Sequence, residues 1–70
     1  MDRLSVSSSN LASVGYDEVG QVLEVEFRHG GVYQYTGVSK SVFDELMAAD
    51  SLGRYLATRI KPRYPFRRVG

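Results

Sequence analysis

Seventy residues with no cysteine and one histidine, His29, exclude a disulfide-stapled scaffold and the usual structural zinc sites. A chain this short forms one domain with a thin core, burying only about 60% of the surface its unfolded form exposes, so it is expected to be marginally stable, very well packed or oligomeric. Its net charge of +1 conceals a split: residues 1–50 hold Arg3, Arg28 and Lys40 against all eight acids, a balance of −5, while residues 51–70 hold Arg54, Arg59, Lys61, Arg63, Arg67 and Arg68 with no acid, a balance of +6.

Residues 1–10 are Ser-rich and lack periodicity, which predicts an irregular start. Ser7, Ser8, Ser9 and Asn10 can bond locally to the backbone and shape the approach to the first strand, residues 11–16. Leu11 and Val14 differ in strand parity, so a bend or bulge is expected, with Gly15 the candidate position. Residues 17–20 make a turn in which Gly20 supplies the positive φ. Leu23, Val25 and Phe27 then alternate with Glu24, Glu26 and Arg28, the period of a strand with one buried and one wet face. His29, Gly30 and Gly31 interrupt the run, and Val32 to Thr36 resumes it with β-favouring residues, so the pair reads as a hairpin.

Loop length decides where Tyr33 and Tyr35 point. A two-residue loop sets Val25 against Gln34 and turns the tyrosines to the glutamate face. A three-residue loop, Arg28 to Gly30, sets Val25 against Tyr33 and Leu23 against Tyr35 and turns them to the apolar face. The second register places apolar beside apolar and is favoured.

A helix follows, capped by Ser39 or Ser41, the latter with Asp44 resembling a capping box. Asp44 and Glu45 near its start suit the helix dipole. Val42, Phe43, Leu46 and Met47 form its apolar face, read as core packing. Ser51 caps a second helix with Leu52, Tyr55, Leu56 and Ile60 on one face. Gly53 weakens it or marks a close backbone approach, and Pro62 ends it. The last residues read either as a short edge strand, with Tyr64, Phe66 and Arg68 sharing parity and Pro65 tolerated at an edge, or as an extended tail docked by Tyr64 and Phe66.

No nucleophile elbow, zincin helix, phosphate-binding loop or dinucleotide fingerprint is present, so a non-catalytic protein without cofactor or metal is expected. His29 reads as turn polarity. Glu24 and Glu26 read as a solvated strand face rather than an acid–base pair. Arginines and Lys61 interleave with Tyr55, Tyr64 and Phe66, a composition that suits single-stranded nucleic acid, since arginine pairs with phosphate and aromatic rings stack on bases. The alternative for the basic segment is a solvated tail that aids solubility. No apolar run is long enough for a signal peptide or a membrane span, which leads to the expectation of a soluble cytoplasmic protein without membrane contact.

Four stretches, S-S-N-L-A-S-V-G-Y-D from Ser8, L-E-V-E-F from Leu23, G-G-V-Y-Q-Y-T-G-V from Gly30 and S-L-G-R-Y-L from Ser51, with I-K-P-R-Y from Ile60, resemble the KTSC domain. That family is a short module at the C-terminus of some lysyl-tRNA synthetases and in free-standing small bacterial proteins. The resemblance spans roughly residues 6–64, with the family's Y-x-Y on Tyr33 and Tyr35, and leaves 65–70 as a basic tail. Many members carry proline where this chain has Lys40. The resemblance implies RNA binding, by association with the synthetase, and a variant of the Sm-like barrel, a fold used for RNA binding and ring assembly.

The expected fold is therefore α+β: a small, strongly bent antiparallel sheet, a Sm-like or SH3-like partial barrel in the order β-β-β-α-α with an optional short final strand. The expected function is a non-catalytic RNA-binding module. Arg54, Arg59, Lys61, Arg63, Arg67 and Arg68 contact phosphates in it, and Tyr33 or Tyr35 stacks on bases. The alternative is a protein-interaction module that assembles with copies of itself.

Overall fold

Apolar alternation builds the sheet, and one irregularity sets its phase. In the computed structural model, which describes residues 1–70, strands β1 (Leu4–Ser5), β2 (Leu11–Asp17), β3 (Val22–Phe27) and β4 (Val32–Thr36) precede helix α1 (Lys40–Ala48). Helix α2 (Leu52–Tyr55) continues into a π-helical turn over Leu56–Ile60, and β5 (Phe66–Arg68) closes the chain. The sheet is open and antiparallel throughout, with strands in the order β1-β2-β3-β4-β5. The molecule is α+β, but its order begins with a strand that the sequence pattern did not reveal. Leu4 and Ser5 pair with Val14 and Ser13, so the first residues are not merely irregular. Two residues are too few to show a period; the Arg3 side chain and the β2 edge hold them instead.

The parity conflict between Leu11 and Val14 is resolved by a register shift between Leu11 and Ser13, not at Gly15. Both residues then reach the core, at 0% and 1% exposure. Gly15 serves a different purpose: a Cβ there would lie 2.6 Å from the Asp2 carbonyl oxygen, so a side chain would push the N-terminal segment off the sheet. Likewise Gln21, not Gly20, takes the left-handed conformation of the first turn, with φ 55°. A Cβ on Gly20 would stand 2.9 Å from an Asp17 carboxylate oxygen, a contact that a turn of the Asp17 side chain relieves. Ser8 shapes the approach to β2 as expected, its Oγ accepting from the backbone N–H of Asn10 and Leu11.

The three-residue hairpin loop is the one adopted. Val25 faces Tyr33 and Leu23 faces Tyr35, Phe27 N–H donates to the Gly31 oxygen, and Gly30 and Gly31 have φ of 111° and 95°. Ser39 caps α1 by accepting from the Val42 N–H; Ser41 instead shares a 3.0 Å hydroxyl contact with Ser39, and Asp44 pairs with Lys40. The first turn of α1 therefore holds no acid. Ser51 caps α2 through the Arg54 N–H.

One core of ten buried residues lies between the sheet and the helices: Leu11, Val14, Leu23, Val25, Phe27, Tyr35 and Val38 meet Leu46, Leu56 and Ile60. Val42, Phe43, Leu52 and Tyr55 pack half-buried around it, while Met47 turns to solvent. The Phe43 ring stacks on Tyr16 at 4.7 Å, and the Tyr16 hydroxyl donates to the Val38 oxygen at 2.6 Å, tying α1 and its preceding loop to β2. No helix is long and apolar enough to cross a membrane.

Candidate functional site

Strand parity gathers aromatic rings at one end of the core face. Leu23, Tyr35 and Phe66 share one rung of the sheet, and Val25, Tyr33 and Arg68 share the next. Phe27 ends β3 on the same face, and the hairpin turn brings His29 over it, the two rings stacked at 5.4 Å. The Phe27 and Tyr33 rings meet edge to face at 5.5 Å, a preferred aromatic geometry. The Phe66 ring lies 5.8 Å from Tyr33 and 5.7 Å from Tyr35. The π turn widens the end of the second helix, with the Lys61 N–H donating to the Leu56 oxygen at 2.8 Å. It delivers the Lys61 ammonium to 5.0 Å from the Phe27 centroid.

These residues enclose a shallow cleft of about 270 Å³ lined by Phe27, His29, Tyr33, Tyr35, Lys61 and Phe66. The two motif tyrosines differ in what they offer. The Tyr35 ring is core, at 2% exposure, whereas Tyr33 is half-buried and presents ring surface. Phe66 is 58% exposed. The Arg68 guanidinium stands 6.0 Å from the Tyr33 centroid at the rim, its Nε donating to the Gly70 oxygen. Burial, with the neighbouring Tyr33 second, pushes the Tyr35 hydroxyl above its ordinary range, so it stays protonated at neutral pH.

The six C-terminal cations do not share one surface. Lys61 and Arg68 flank the cleft. Arg67 pairs with Gln34 and points from the opposite face of the sheet. Arg54 and Arg59 project from the second helix, near Tyr55. Arg63 sits in the turn before β5. All six are exposed, and none forms an ion pair; the ion pairs of the molecule are Arg3–Glu24 and Lys40–Asp44.

Glu24 and Glu26 do not form a wet face. Arg3 donates from one guanidinium nitrogen to Glu24 at 2.5 Å and from Nε to Ser13 Oγ at 2.9 Å. Ser13 donates to Glu26 at 2.8 Å, and the Gln34 amide donates to Glu24 at 2.8 Å. Glu24 is 7% exposed. The Gln34 hydrogen bond, then the bond and charge of Arg3, outweigh burial and hold its carboxyl below the ordinary range. This network lies on the sheet face away from the cleft, so no pocket joins these carboxylates to His29.

Sequence reasoning singled out Tyr33, Tyr35, Lys61 and Arg68 but missed Phe27, His29 and Phe66 as cleft walls. Parity with Tyr64 and Arg68 marked the Phe66 face. Nothing local signalled that Lys61 would reach across to Phe27.

Comparisons with known proteins agree with this fold. Residues 7–64 match the model of the KTSC domain. The chain is 45% identical over 64 residues to an uncharacterised protein of Stutzerimonas stutzeri, covering 91% of this chain and 90% of that one. It is 42% identical over 59 residues to a protein of Tsukamurella paurometabola, covering 84% and 88%. The crystal structure of a KTSC domain protein from Yersinia pestis superposes with a TM-score of 0.95 at 40% identity, covering 99% of this chain and 97% of that one.

Proposed function

The chain belongs to the KTSC domain family, and on that footing we propose that it is a non-catalytic module that binds single-stranded RNA. What carries the reading is that six exposed cations form no ion pair with an aspartate or glutamate in a chain whose net charge is only +1. Unpaired arginine and lysine side chains are free to displace counterions from phosphates. Two of them, Lys61 and Arg68, stand beside rings able to stack on bases, the pairing of charge and aromatic platform that single-stranded nucleic acid requires. Arg54, Arg59, Arg63 and Arg67 add attraction from neighbouring surfaces, and Tyr33 rather than Tyr35 supplies the stacking ring.

Alanine at both Lys61 and Arg68 tests the assignment. The double variant should lower the salt slope of RNA binding by about 1.4, at about 0.7 for each phosphate no longer neutralised, while Arg67→Ala lowers it less. An unchanged slope in the double variant would show that the cleft cations do not touch phosphate.

A second reading is self-assembly of a Sm-like module. It draws support from the two free sheet edges, where Leu4 and Phe66 are 68% and 58% exposed. Sedimentation of a clean monomer at high concentration removes it.

A further inference from the structure

We infer that the aromatic cleft is a pocket for one unpaired nucleobase, read at its floor by the Tyr35 hydroxyl, so that the module selects unpaired nucleotides rather than the backbone alone. The inference rests on the RNA-binding reading and adds to it a cleft that takes in a single base and a hydroxyl that reads it.

The first support is an unsatisfied group. Tyr16 and Tyr55 give their hydroxyls to the Val38 oxygen and the Glu45 carboxylate. Tyr35 is more deeply buried than either, yet its hydroxyl has no partner within the chain. No buried polar atom is sealed without a hydrogen bond, so this hydroxyl opens into the cleft that Tyr35 lines. A buried tyrosine normally finds a partner for its O–H. Here the partner position is the cleft itself.

The second support is shape. About 270 Å³ falls just below the roughly 300–1,000 Å³ of drug-sized ligand sites. The cleft therefore suits one flat ring system. His29, Tyr33 and Phe66 carry the ring surface still open to a base, since the Phe27 ring is buried. The third support is charge. Lys61 and Arg68 stand on the cleft wall and rim, where the phosphates of an inserted nucleotide emerge. A neutral apolar ligand would leave both cations without purpose; an unpaired nucleotide uses ring, hydroxyl and cation together.

Two strands of equal length distinguish this inference from the reading beneath it: oligoadenylate carrying one 2-aminopurine, and an abasic sugar–phosphate strand. The wild-type chain should bind the first more tightly and quench its fluorescence. Phe66→Ala should weaken that binding by roughly 5- to 150-fold, the range of a single base stack, without altering affinity for the abasic strand. Phe66→Trp should restore it. Tyr35→Phe removes only the unpaired hydroxyl and should weaken binding of the base-bearing strand by roughly 2- to 10-fold with folding intact. Equal binding of the two strands by the wild-type chain, or unchanged quenching in both variants, overturns the base pocket while leaving phosphate binding in place. Failure of both strands to bind overturns both.

Discussion

Glu24 is the residue whose charge the fold most depends on. Its carboxylate sits under Arg3 and beside Gln34 at 7% exposure, and a buried charge survives only while it is paired and bonded. Removing Arg3 leaves Gln34 as the remaining donor, so Arg3→Ala should cost about 2–3 kcal/mol in urea unfolding. The lowered native pKa of Glu24 fixes the sign of the pH effect. Its contribution is complete above the unfolded-state value and disappears as pH falls through the lower native one. Stability of the wild-type chain should therefore decline on the acid side of the ordinary carboxylate range, and Glu24→Gln should lack that part of the decline. A Glu24→Gln chain with an unaltered acid limb would contradict the pairing. Alternating Glu24 and Glu26 announced which face they occupy. That the face would be covered was not legible, because the covering guanidinium comes from Arg3, 21 residues away in sequence.

At the scale of elements, legibility followed length and repetition. The register of the β3–β4 hairpin, with its apolar rungs and glycine-bearing loop, was the favoured one of two, because the alternative would have turned Tyr33 and Tyr35 away from Val25 and Leu23 to the glutamate face. Both helices were readable from serine caps and 3.6-residue spacing. Strand β1 was not, since two residues carry no period, and the bulge at the start of β2 could be expected but not located. The π turn was hidden because Leu56 and Ile60 would share a face of an ordinary helix too. Two glycines separate backbone contact from side-chain contact. Gly15→Ala would press against the Asp2 backbone and should detach β1, measured as loss of amide protection at Val14. In Gly53→Ala the new Cβ meets only the Asn10 side-chain amide at 3.0 Å, which can swing aside. The better helix former should then leave stability unchanged or raise it by up to about 1 kcal/mol.

For the whole molecule, the division of charge in the sequence becomes a division of labour in space. Two of the eight acids bond inward, Glu24 and Glu26 on the outer sheet face, while the six late cations stay exposed and free of ion pairs. Residues 66–68 complete the sheet as well as carrying charge, and Phe66 on that strand walls the cleft. Scaffold and cleft are thus one structure, and both hairpin tyrosines line the cleft, Tyr35 from the core and Tyr33 half-buried at the wall. The central claim is that this surface binds single-stranded RNA through phosphates. The most direct measurement is titration of a labelled single-stranded RNA with the intact chain from about 50 to 200 mM salt. The logarithm of the affinity should fall linearly with that of salt. The slope should lie between about −1.4, if only Lys61 and Arg68 engage phosphate, and about −4.2, if all six cations do. Absence of saturable binding at the low-salt end, or binding indifferent to salt, would contradict the claim.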